Sequence, residues 1–213
     1  MKKLLLFNLI IQLSLFGSCK KDDSKPDDPV MVLDTIILAG QKSGEGVKYV
    51  DLEPDIDVTL VNPWHSTDSI FYLDLNDDGI DDFEINCDMC SPVFLGGDCE
   101  NVHIVPLLNN GVCINPATDW LDTIPENKVI NIESDWYNSE VLIYSYFMVL
   151  GGDPPSTEGY WKDAAEPGKY YIGVKLLKDD QPHYGWIGMH RDTTAYIFRF
   201  LVTDYAILEE YEE

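Results

Sequence analysis

Residues Ser69 to Ile85, SIFYLDLNDDGIDDFEI, constrain the chain more than any other stretch. Two runs with apolar residues in alternation flank a nine-residue connection, Asp74 to Asp82, that holds five Asp, one Asn and one Gly. A period of two belongs to strands with one face buried, so the stretch reads strand, acidic loop, strand. Oxygen-bearing side chains fall at the first, third, fifth and ninth loop positions, and Gly79 falls at the sixth, where the backbone has to turn sharply. Hard cations such as calcium take roughly six to eight oxygens from loops of this kind, at about 2.3–2.6 Å. The expected ligands are the side chains of Asp74, Asn76 and Asp78, the backbone carbonyl of Ile80, and Asp82 directly or through water. The twelfth position is Ile85, not Glu, and Glu84 is out of register, so the loop is not a complete EF-hand. The competing reading is a metal-free hairpin turn rich in Asp, Asn and Gly. Against it stands the mutual repulsion of the clustered carboxylates, which a divalent ion would relieve.

On those residues the loop resembles the DxDxDGxxD calcium loops of FG-GAP and VCBS-type repeats, dockerins and thrombospondin type 3 repeats, with Asn76 in place of the second Asp. These families share a loop and not a fold. The resemblance implies calcium and nothing about architecture or partner.

The chain begins Met1-Lys2-Lys3, followed by an apolar core of 13 residues from Leu4 to Phe16. That core is too short for a bilayer, which needs about 20 residues, and it reads as a secretory signal. Phe16-Gly17-Ser18 before Cys19 resembles the lipobox of bacterial lipoproteins, with Phe where Leu is usual. The resemblance implies cleavage before Cys19 and a diacylglycerol on its thiol. The alternative is an ordinary signal peptide with an unrelated Cys. Lys20 to Pro29 is charged and contains Pro, the composition of a disordered tether. A Lys followed by acidic residues after the lipid Cys resembles the surface-export signal of Bacteroidetes lipoproteins, which implies an outer-membrane anchor facing the periplasm or the cell surface; the alternative is a plain solvated tether. The expected organisation is a signal peptide over 1–18, a lipidated tether over 19–29, and a single domain over 30–213.

The full chain carries 38 acidic against 14 basic residues, a net charge of −24. So acidic a surface opposes phosphate contacts and adhesion to anionic lipid, so nucleic acid is excluded as a partner and the membrane is expected to be reached through the lipid anchor. Besides Cys19 there are four cysteines: Cys87, Cys90, Cys99 and Cys113. An even number in an exported chain predicts two disulfides, in one of three connectivities. A thioredoxin-like pair would need a βαβ context for the Cys87–Cys90 CxxC, and a zinc site would want a second CxxC.

Elsewhere, Lys48 to Val61 alternates, with Asp51, Glu53, Asp55 and Asp57 on one parity and Val50, Leu52, Ile56 and Val58 on the other. Pro54 marks an edge or a bulge. Val141 to Leu150 is continuously apolar and aromatic, which predicts a strand buried on both faces. Ser134 to Glu140 predicts a helical turn capped by Ser134. Lys178 to Pro182 predicts a hairpin connection, and from Tyr196 to Val202 the even residues share one face. The order YIGVKL…HYGWIGM resembles uncharacterised exported proteins that pair an Asp-rich loop with a YGWI hairpin, which implies a β-sandwich; here Gly188 stands where those proteins carry a polar residue.

No HExxH, GxSxG or Walker pattern occurs. The fold expected is all-β, an antiparallel β-sandwich of about eight to ten strands with little helix and a disulfide-stapled loop region. The function expected is a calcium-stabilised binding or structural domain for a glycan or protein ligand. The alternative is an exported carbohydrate hydrolase using an Asp/Glu pair.

Overall fold

Alternating sequence becomes antiparallel strands throughout the computed structural model, which describes residues 36–58, 69–89, 98–148, 156–158, 169–192 and 199–209. All of these belong to one compact unit. The first strands are β1 (Ile37–Leu38), β2 (Val47–Asp57), β3 (Ser69–Leu73), β4 (Phe83–Met89) and β5 (Asp98–Pro106). The middle of the chain supplies β6 (Gly111–Asn115), β7 (Trp120–Leu121), β8 (Val129–Ile130), β9 (Trp136–Tyr137) and β10 (Val141–Met148). The last are β11 (Ser156–Glu158), β12 (Lys169–Lys178), β13 (Gln181–Asp192) and β14 (Arg199–Leu208). The strands exceed the expected eight to ten because short pairings of two or three residues organise the loop-rich middle. No helix occurs among the described residues.

One sheet has the order β11-β10-β5-β4-β3; a second, seven-stranded sheet has the order β2-β14-β13-β12-β6-β7, with β9 paired to β6. Phe83, Ile85, Val102, Ile104 and Ile143 from the first sheet share one buried cluster with Ile172, Val174, Ile187, Val202 and Ile207 from the second. A core shared by two antiparallel sheets in this way is β-sandwich packing. The outer face of the seven-stranded sheet carries a second cluster: Tyr171, Tyr184, Trp186 and Ala206 lie under Ile37, Ala39, Ile124 and Ile130. The small β1–β8 sheet contributes to that cover.

Several sequence expectations meet tertiary packing here. The even parity of β14 places Phe200 and Val202 in the inter-sheet core. A register shift between Val202 and Asp204 then reverses it, so Tyr205 and Ile207 face inward while Ala206 joins the outer cluster. The same irregularity lies opposite Pro54, on β2 at the sheet edge, where a missing N–H is tolerated. Another shift, between Leu142 and Tyr144, buries Ile143 and Tyr144 in succession, while Leu142 stays half-exposed. Over Val141 to Ser145 a bulge thus accounts for the succession of buried apolar residues.

The helical turn expected at Ser134 to Glu140 is not formed. Trp136 and Cys113 are strand partners, the Trp136 ring stacks on Tyr184 with centroids 5.5 Å apart, and its Nε1 donates to the Asn131 carbonyl. Asp179 and Asp180 make the two-residue hairpin turn with φ of 50° and 61°, the left-handed pair that a type I′ turn needs. Gly188 is explained by its neighbour, since a Cβ there would lie 2.1 Å from an Asp204 carboxylate oxygen.

The disulfide-stapled region expected from the cysteine count is not found among the described residues, where Cys87 and Cys113 are both buried and are not joined to each other. Alternation is the reason. Cys87 follows Phe83 and Ile85 into the inter-sheet core, whereas Cys113 belongs to the cluster on the far side of the seven-stranded sheet. Burial, opposed by a hydrogen bond with Ser134, pushes the Cys113 thiol up to about 11. Cys90 and the side chain of Cys99 lie outside the described residues, as do the signal segment, Cys19 and the tether, and Tyr196 to Phe198.

Candidate metal centre

The 74–82 loop joins β3 to β4, which pair from Ser69↔Cys87 to Leu73↔Phe83. Its backbone turns through two left-handed residues, Asp77 at φ 60° and Gly79 at φ 84°. A Cβ at Gly79 would meet nothing within 4 Å, so backbone conformation, and not space, is what glycine supplies there.

The loop curls around its own acceptors. Asp74 takes the Asp78 N–H on Oδ1 (3.2 Å) and the Gly79 N–H on Oδ2 (2.8 Å). Asn76 Oδ1 accepts from the Asp78 N–H at 2.9 Å, and Asp78 Oδ1 accepts from the Ile80 N–H at 2.8 Å. These side chains are therefore turned toward the loop's own backbone, and each carboxylate oxygen retains acceptor capacity, since it offers two lone pairs. The donor set is all oxygen, the chemistry that suits calcium and not a soft metal. No three His, Cys, Asp or Glu side chains form a metal-holding group among the described residues. Asn76 and the Ile80 carbonyl are donors of other kinds. On donor chemistry and loop backbone, the residues fit a hard cation.

Asp82 occupies a different environment from Asp74, Asn76 and Asp78. It is 4% exposed, and both its oxygens are engaged: Oδ2 takes the Leu75 N–H at 2.9 Å and Oδ1 takes the Asn110 amide at 3.1 Å. Burial, helped by the charges of Asp74 and Asp78, raises its pKa against the lowering effect of those two hydrogen bonds. Asp82 is thus the inner clamp of the loop. Ile80, by contrast, is 54% exposed.

Two residues that sequence reading passed over make this end of the sandwich rigid. Asn110, 1% exposed, donates to both the carbonyl and the carboxylate of Asp82, and its Oδ1 accepts from the Leu177 N–H at 2.8 Å. One side chain therefore pins the loop to the β5–β6 turn and to β12. The Asn109-Asn110-Gly111 sequence signals a turn, but nothing local says that its amide reaches Asp82, 28 residues away. Lys48 is the second. From β2 in the opposite sheet its ammonium lies 2.6 Å from Asp77 and 3.6 Å from Glu209. The Tyr205 hydroxyl also reaches the Asp74 carbonyl at 3.5 Å.

The acidic side of β2 does not join the loop. β2 lies in the other sheet, and Asp51, Glu53 and Asp55 are exposed there. Among the described histidines, His103 stands on β5 between two carboxylates, with Glu140 3.0 Å from Nδ1 and Asp88 3.6 Å from Nε2. No family model, curated protein or solved structure matches the chain.

Proposed function

We propose that the chain is an exported lipoprotein of the outer membrane, facing the periplasm or the cell surface, with a β domain that calcium stabilises and that serves to bind a glycan or protein ligand. Asp74, Asn76, Asp78 and the Ile80 carbonyl hold the ion, and Asp82 supports them from beneath. One observation carries the calcium reading. Of the five loop aspartates, Asp77 alone meets a lysine among the described residues. The other four leave a charge deficit that a divalent ion would fill. The membrane association rests on Cys19 and its lipid, each buried methylene contributing about 0.8 kcal/mol.

The experiment is a thermal melt of the protein in millimolar calcium and again in excess chelator. Binding at about 100 times the dissociation constant adds about 2.7 kcal/mol. For a domain of this size the melting temperature should then fall by about 5–10 °C on chelation. Superimposable melts would defeat the cation reading. Separately, Cys19→Ala should move the protein from the membrane fraction to the soluble fraction. Retention in the membrane would defeat the lipid anchor.

A further inference from the structure

Beside the loop, at the same end of the sandwich, lies a cavity of about 330 Å³, at the small end of the range for ligand sites. Leu176 of β12 and Ile207 of β14, both almost fully buried, form its apolar base. Its walls come from three connections: Asn76 from the acidic loop, Lys178, Asp179 and Gln181 around the β12–β13 turn, and Glu209 after β14. We infer that this cavity is the ligand site of the domain and that it takes one unit of a neutral, polyhydroxylated ligand, a sugar ring. The inference rests on the binding-domain reading above and narrows it to a glycan and a place.

The wall chemistry selects that class. Gln181 offers an amide that both donates and accepts, matching hydroxyls that do the same, and Asn76, its oxygen turned to the loop, offers its NH₂ as a donor. His183 has its Nδ1 3.1 Å from the Leu208 carbonyl. A carbonyl only accepts, so Nδ1 donates to it, and Nε2 is the ring atom left for a ligand hydroxyl. Lys178 is opposed by Asp179 and Glu209, and the aspartate-rich loop adjoins, so the field repels phosphate, sulfate and uronate groups. Among the described residues no Trp, Tyr or Phe lines the cavity, which leaves a quaternary or methylated amine without the ring faces it would need. A wholly apolar ligand would leave the wall polar groups desolvated and unpaired. A sugar ring has an apolar edge for Leu176 and Ile207 and hydroxyls for the rim. The base is rigid, since Leu176 pairs with His183 and Ile207 with Gly185 in the sheet ladder.

The test uses the full-length protein in zwitterionic detergent and an array of neutral gluco-, galacto-, manno- and xylo-oligosaccharides. The strongest binder is then measured by calorimetry against Gln181→Ala, His183→Ala and a cavity-filling Gln181→Arg. Gln181 is exposed, so its variants keep the wild-type melt. A tenfold or greater loss of affinity in the Gln181 variants and in His183→Ala supports the site. Tyr72→Ala, on the exposed outer face of β3, should bind as wild type. Unchanged affinity in the cavity variants, or loss in Tyr72→Ala instead, places the site elsewhere and overturns the inference while the binding-domain reading stands. Capture of no neutral oligosaccharide overturns the inference outright, and the chelation and membrane experiments then judge the broader reading on their own.

Discussion

The protein handles negative charge in two opposite ways, at the 74–82 loop and at Asp204. Asp204 is fully buried, and its charge is met from within: Lys169 pairs with it, Lys42 lies 3.5 Å away, and the hydroxyls of Tyr49 and Thr203 donate to it at 3.1 and 3.0 Å. The loop has five aspartates and one paired lysine; Asp77 is 68% exposed, and of the five Asp82 alone is buried, its two oxygens met by the Leu75 N–H and the Asn110 amide. Where desolvation makes an unpaired carboxylate costly, the chain provides cations and donors of its own. Where water screens the charges, it crowds them and leaves the balance to solvent and ions. The difference teaches that acidic composition alone does not define a site; the distribution of counter-charges does.

That contrast can be broken most directly at Asp204. Asp204→Ala leaves two lysines facing each other over a sheet with no carboxylate between them. Two hydroxyls lose their hydrogen bonds to a buried charge, each contributing about 1.5 kcal/mol, so the melting temperature should fall by about 10 °C, equally with calcium and with chelator. A melt like that of the wild type would show that the buried cluster contributes nothing. Next in size is Asn110→Ala, which deletes three hydrogen bonds at a buried position and orphans the Leu177 N–H. The expected loss is about 2 kcal/mol. Unlike the Asp204 variant, it should also shrink the calcium-dependent shift, because the clamp under the loop is loosened. Equal shifts in Asn110→Ala and wild type would uncouple the clamp from the ion. The smallest effect is expected for Lys48→Met. Its pair with the exposed Asp77 is worth less than about 1 kcal/mol in the absence of calcium. With the competing ammonium gone, calcium should bind a few-fold tighter by calorimetry, and an unchanged or weaker affinity would remove Lys48 from the electrostatics of the loop.

Much of the β architecture could be read locally. The alternation of Val50, Leu52, Ile56 and Val58 against the acidic parity of β2 predicts which side packs, and those residues do pack on the core. The Lys178 to Pro182 hairpin follows from Asp179 and Asp180, which tolerate the left-handed region. Errors fell where a local signal met a distant partner. The signal for a helical turn at Ser134 lost to pairing of Trp136 with Cys113 and to stacking on Tyr184. The cysteine count suggested staples, and strand parity sends Cys87 and Cys113 into different layers, so these two do not pair with each other.

Of the candidate site, the sequence alone determined the loop's composition, the place of its glycine and the oxygen character of its donors, because spacing within nine residues is a local property. Tertiary structure decided that Asp82 is buried as a clamp, that Asn110 and Lys48 reach the loop from other strands, and that a bulge after Val202 turns Asp204 away from the inter-sheet core. These depend on which sheet each strand joins and on where its register shifts. Both are settled by burying two apolar faces against each other, an interaction among segments far apart in the chain that no short stretch of residues encodes.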